Sequence, residues 1–308
     1  MQPKKIVITG ITGFIGSHMA EEFLKNNYEV IGLKRASSDC WRCNNFLEEI
    51  TWINTEDNFI DKIVALKPAV VLHCAWDGAA AANRDDVNIQ KENLLFLQKI
   101  LTLVAKLKVE KFIALGSQEE YGYLDKTVNE NTELKPVSEY GIAKVQACDE
   151  VKGFCDQHGI IWYWMRLFSF YGSREAENWF IPYIITSFLE DNKELKLSTG
   201  TQQYAYLYIK DLANYLVKLI EVKNVPKGIY NISGSKAVEL KKIVLAMKKQ
   251  LKNSTTELQF GALPARKNHS VYLKGDMNKY HKNIGKIKTT PFSSGIRETI
   301  AYYKSKAI

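Results

Sequence analysis

The stretch VITGITGFIGSH (7–18) constrains the fold of this chain more than any other. It sets Gly10, Gly13 and Gly16 three residues apart, after a β-branched run and at the start of a helical pattern. At such a junction a Cβ would block both the tight turn and the approach of backbone to a pyrophosphate. The helix N-terminus adds free N–H groups and the positive end of its dipole. A strand, a glycine turn and a helix in that order predict a dinucleotide site made by Gly10, Thr12, Gly13, Phe14, Ile15 and Gly16.

The next strand pattern, YEVIGL (28–33), runs into KRASSD, with Lys34, Arg35, Ser37 and Ser38 where an acidic residue would bind a free ribose 2′-hydroxyl. A carboxylate accepts from that hydroxyl and repels a 2′-phosphate; a guanidinium does the reverse, with two-pronged geometry. Arg35 and Ser37 are therefore expected at the adenosine end of the cofactor, and NADP(H) is favoured over NAD(H).

Further strand patterns fall at AVVLHCA (69–75), KFIALG (111–116) and IIWYWMRLF (160–168). Helical patterns lie at 15–26, 93–107 and 139–155. Near-continuous apolar strands alternating with helices predict a parallel sheet covered on both faces. After about residue 170 the segments shorten and mix with aromatics and Gly/Pro turns, as in NVPKGIYNISGSK (224–236). The expected architecture is α/β: a Rossmann-like doubly wound parallel sheet over 1–170, with a return of about 204–225 to it. A smaller α+β C-terminal substrate lobe would take up 171–308.

Composition removes several classes. No apolar run reaches the roughly 18 residues of a membrane span. The opening MQPKKIVITG lacks a signal-peptide core, so the cytoplasm is the expected location. Cys40 and Cys43 have metal-ligand spacing, yet no second Cys or His pair completes a site; with Cys74, Cys148 and Cys155 they are expected to be reduced thiols, and no metal is expected. The formal net charge of +8 is scattered, without a basic stripe interleaved with aromatics. Nucleic acid is thus not expected, and a small polyanion is a fitting partner.

The reacting groups are sought at strand ends. EYGIAK puts Tyr140 and Lys144 at i and i+4, on one helix face. An ammonium beside a phenol favours the phenolate and brings tyrosine towards acid–base use. Ser117, ending the strand pattern at 111–116, adds a hydroxyl able to polarise a carbonyl. It opens GSQEEYG (116–122), whose glutamates either move protons or hold substrate hydroxyls.

With these motifs, and with VVLHCA, MRLFSFYG, YLYIKDLA and GIYNISG, the chain resembles the extended short-chain dehydrogenase/reductase family, in particular its nucleotide-sugar branch. The resemblance implies that Ser117, Tyr140 and Lys144 form the catalytic triad and that Ala75 lines the cofactor. It implies a nucleoside-diphosphate sugar as substrate and a homodimer through the two long helices. Gln118, Glu119, Ser169 and Arg266 would meet the substrate, while Arg174 reads as a surface cation. Where the family often has Asn and an Arg-Asp pair, this chain has Ser169 and Tyr204-Ala205.

In the family's sugar 4,6-dehydratases an acid–base pair follows the serine or threonine. Here Gln118 takes the place of the acid, and an amide has no acidic proton to give a departing hydroxyl. GSQEEYG looks closer to the 4-keto-6-deoxy-sugar nucleotide reductases, so reduction of a 4-keto group by NADPH is the leading expectation. The alternative is a 4,6-dehydratase or 4-epimerase with tightly held cofactor and Glu119 as base. Glu120 is expected to point away and to be structural.

Overall fold

The computed structural model describes residues 4–80, 82–264 and 270–306. Its centre is a seven-stranded sheet. In chain order the strands are β1 (Lys5–Thr9), β2 (Glu29–Lys34), β3 (Ile50–Asn54), β4 (Val70–His73), β5 (Lys111–Ser117), β6 (Trp162–Leu167) and a last strand, Gly228–Ile232. Read from that last strand, the spatial order is β6, β5, β4, β1, β2, β3, with every pairing parallel. The direction of winding reverses between β1 and β4, the place where open α/β sheets bind ligands beyond their carboxyl ends.

The sheet follows from residues buried on both faces. On β1, Ile6 and Ile8 join one core and Val7 the other, as a period of two requires. The first core continues under α1 (Phe14–Lys25) and α6 (Ile209–Glu221), which pack on each other. The second lies under α2 (Phe59–Leu66), α3 (Val87–Leu107) and α4 (Glu139–Gln157), through Ile63, Leu97, Ile100, Ala147 and Val151. Asp86 and Ser138 cap α3 and α4 by accepting backbone N–H groups.

Two strands of the sheet escape the sequence patterns, and both are edges. Ile50–Asn54 buries only part of its side chains, and Gly228–Ile232 lies in a stretch rich in turn residues. After β6 come α5 (Phe180–Leu189), helices Leu240–Gln250, Asn278–Asn283 and Phe292–Lys306 and short strand pairs, and buried Ile181, Met247, Tyr280 and Ile296 of these helices join the first core. No helix among the described residues is long and apolar enough to cross a membrane.

Candidate active site

The glycine turn is shaped by contacts that leave no room for a side chain. Gly10 has φ +64°, and a Cβ there would stand 2.7 Å from the backbone of Ala75; at Gly16 it would stand 2.2 Å from the Gly10 carbonyl oxygen. Gly13 is the N-cap of α1 with no side-chain partner for the helix N–H groups. Ala75 donates its N–H to Thr9 Oγ1 (3.1 Å), which also bonds His73 Nδ1 (2.8 Å). Burial, then the nearby Lys144, lowers His73 to about 3, so it is a neutral ring. Its Nε2 is buried without a partner among the described residues. The close-set backbone and free helix N–H groups fit the pyrophosphate of a dinucleotide.

Thr12, Phe14 and Ile15 are part-buried around this turn, and Phe14 packs on Phe170 with ring centroids 5.8 Å apart. Arg42 donates to Thr12 O (3.4 Å) and Arg174 O (2.8 Å), while Arg174 donates back to Arg42 O (2.9 Å). Arg174 is buried, not a surface cation: it pairs with Glu21 and donates to His18 Nδ1 (2.7 Å). Neither Arg42 nor its brace on the turn is visible in a local motif.

After β2, Arg35 and Ser37 lie in an exposed turn. Arg35 pairs with Asp77 at 2.9 Å, both side chains more than half exposed. Glu56, just past β3, accepts the Ala36 N–H (3.0 Å), so a carboxylate does reach this end of the site, from a different strand than a linear reading expects.

The β5–α4 end brings the predicted reacting groups together. Ser117 ends β5 and Tyr140 and Lys144 share the first turns of α4. Burial raises Tyr140 to about 12 against a hydrogen bond from Ser117; Glu119 and Glu120 add to the rise, and Arg84 opposes it. Lys144 donates to Leu115 O (2.8 Å) and its Nζ lies 3.5 Å from the ring centroid of Trp76. Burial lowers it to about 7, against the pull of Glu120 and Cys74. Trp76, held by a bond to Gln90 Oε1 (2.9 Å), covers the ammonium; sequence reading gave it no role.

The two glutamates part company. Glu119 faces Arg84, from the loop before α3, at 3.2 Å, both partly exposed. The Arg84 carbonyl accepts the Tyr140 N–H (3.0 Å), and its Nε is buried without a partner among the described residues. Gln118 Oε1, next to Glu119, is likewise a buried acceptor without one. An unmet donor and an unmet acceptor beside Tyr140 suit a polyhydroxy ligand. Glu120 is turned inward, as expected. Ser169 sits past the end of β6, its carbonyl accepting from Leu207 (2.9 Å). Arg266 lies outside the described residues. Among those described, no three His, Cys, Asp or Glu side chains are placed to hold a metal, and all five cysteines are free thiols.

The model of the NAD dependent epimerase/dehydratase family matches residues 6–233. The chain belongs to that family. Among its relatives, a CDP-abequose synthase of Salmonella muenchen is 27% identical over 85% of this chain and 86% of its own. A dTDP-D-glucose 4,6-dehydratase of Bos taurus is 25% identical over 98% of this chain and 89% of its own. The fold matches that of a UDP-glucose 4-epimerase from Thermotoga maritima, solved with UDP-glucose. The TM-score is 0.87 at 22% identity, over 99% of this chain and 100% of that one. The chain is thus similar in sequence to a synthase and a dehydratase and in fold to an epimerase.

Proposed function

We propose that the protein reduces the 4-keto group of a nucleoside-diphosphate 4-keto-6-deoxy sugar with NADPH. The observation that carries this reading is the state of the pair after Ser117. Gln118 is a neutral amide with an unmet acceptor, and Glu119 is engaged by Arg84. An amide gives no proton to a leaving hydroxyl, and the Glu119 carboxylate is occupied by the Arg84 guanidinium, so elimination of water lacks its acid. Reduction needs no such leaving-group acid.

The nicotinamide, when bound, supplies the hydride to the sugar's C4. Tyr140 keeps its proton at neutral pH, because burial holds its hydroxyl high, and delivers it to the carbonyl oxygen as charge builds there. Ser117 Oγ donates to the same oxygen. Lys144, as an ammonium, stabilises the phenolate left on Tyr140. Gln118 Oε1 and Arg84 Nε orient the sugar through its hydroxyls, with Ser169 and Arg266 as further substrate contacts. Arg35 and Ser37 are the residues that would hold the 2′-phosphate of NADPH. A homodimer through the outer faces of α3 and α4 is supported by Leu95 and Ile142, which are exposed there.

The test offers the purified protein NADPH or NADH with a panel of freshly made 4-keto-6-deoxy nucleotide sugars and follows the reduced-nicotinamide absorbance. Rapid oxidation of NADPH with one sugar is expected, and Glu119→Gln should change KM more than kcat. No oxidation with any sugar, together with cofactor released only on denaturation, overturns the reading in favour of a dehydratase or epimerase.

A further inference from the structure

Glu120 is the most completely engaged side chain of the site, and nothing in the reaction calls for it. It is 0% exposed and its partner Arg166 1%. Glu120 Oε1 accepts the Ser117 backbone N–H at 2.8 Å and the Trp164 Nε1–H at 2.9 Å; Oε2 accepts Arg166 Nε–H at 2.6 Å. Arg166 Nη1 donates to Tyr121 Oη (3.1 Å), which donates to Asn231 Oδ1 (2.8 Å). The end of β5, β6 and the outer strand are thereby tied together behind the reacting groups. Gly116 leaves the space for it: a Cβ there would stand 2.1 Å from Trp164 Nε1 and 2.5 Å from Glu120 Oε1.

A pair buried this deeply is a poor device for stability. Apolar side chains of similar volume do as well or better, since they need no desolvation of two charges. Its purpose is better sought in what its atoms reach. One is the backbone of Ser117, whose Oγ also accepts the Glu119 N–H (3.2 Å), completing a capping box that fixes the turn 118–121. The other is Trp164, whose ring has the Lys144 Nζ 5.7 Å from its centroid, so that carboxylate and ammonium flank one indole. From β4 this lysine faces Cys74 and neutral His73, from its own helix Tyr140, and from the β5 side Glu120; Trp76 and Trp164 complete its surroundings. Glu120 is the first of the groups that resist the loss of its proton.

We infer that Glu120 is the positioning residue of the reacting trio: its bond to the Ser117 N–H sets where the serine hydroxyl stands, and its carboxylate, bonded to the indole that Lys144 lies against, is the buried counter-charge of that ammonium. This rests on Ser117, Tyr140 and Lys144 being the reacting groups.

Two variants of the full-length protein separate the parts. Glu120→Gln keeps an acceptor for the Ser117 and Trp164 N–H groups and removes the charge. Glu120→Leu combined with Arg166→Met removes both polar groups, so that neither is left buried alone. Lys144 is followed by carbon-13 NMR of labelled lysine, its signal assigned by loss in Lys144→Met. In Glu120→Gln it should titrate about one pH unit lower than in wild type, and the basic limb of the rate profile should move down with it. The double variant should melt cooperatively and lose about 100-fold in kcat with KM within about twofold.

A Lys144 titration unchanged in Glu120→Gln overturns the inference, as does a folded double variant with wild-type kcat. Should the double variant not fold, the Glu120→Gln titration decides alone. A Tyr140→Phe variant as active as wild type overturns the trio itself. That failure is separable, because the Lys144 titration needs no turnover.

Discussion

The two ends of the sheet's carboxyl edge are built by different means. At the turn between β1 and α1 the shape belongs to the backbone: Gly10 at φ +64° and a Gly16 whose Cβ would meet the Gly10 carbonyl. At the end of β5 the shape belongs to side chains far apart in sequence. Arg166 reaches Glu120 across 46 positions, Arg84 meets Glu119, and Trp76 covers Lys144. A site of the first kind tolerates almost no substitution, because a new Cβ meets backbone that cannot give way. A site of the second kind is retuned by single exchanges, and so can carry different chemistry on one frame.

Tyr140→Phe tests that division most severely. It removes the proposed proton donor and should cost about 1,000-fold in kcat while cofactor affinity stays at the wild-type value; affinity falling with it would show that the two ends are not separable. Gly16→Ala is the converse. The new methyl group must push strand and helix apart, so cofactor affinity should fall about 100-fold and stability by about 2 kcal/mol, read by cofactor titration and thermal melting.

The pH dependence sharpens the comparison. Lys144 is lowered from its ordinary range to about 7, so it carries its proton below that pH and loses it above. The rate constant for reduction should be full on the acid side and fall as pH rises through about 7, and Lys144→Met should abolish that limb. Arg84→Met frees Glu119 and removes a donor; a rise of about tenfold in sugar KM is expected, with kcat changed less. The smallest effect belongs to Arg35, whose side chain is 61% exposed. Arg35→Ser should shift the NADPH-to-NADH preference by only about fivefold, measured as a ratio of kcat/KM.

Much of the frame is legible in the sequence for a physical reason. Strands β1, β4, β5 and β6 are buried on both faces, so they read as continuous apolar runs bounded by turn residues. Edge strand Ile50–Asn54 is only partly buried, and Gly228–Ile232 opens on a glycine and carries Asn231 among its buried residues, so neither reads as a continuous apolar run. Tyr140 and Lys144 are legible because a helix brings i and i+4 together whatever surrounds it. The inward turn of Glu120 has a local sign as well, since Ser117-x-x-Glu120 is capping-box spacing. Arg174 has none. Read as a surface cation, it is buried because Glu21 and His18 come to meet it from α1.

The sequence alone therefore determined a strand–glycine turn–helix shaped to fit a pyrophosphate and the spacing that lines up a tyrosine with a lysine. Both are short-range consequences of backbone geometry, written within a dozen residues. The tertiary structure decided which glutamate stays partly exposed against Arg84, which is buried against Arg166, and how strongly Lys144 holds its proton. Those properties are electrostatic, and an electrostatic environment is assembled from whichever charges folding brings within a few ångströms, however far apart they lie in the chain.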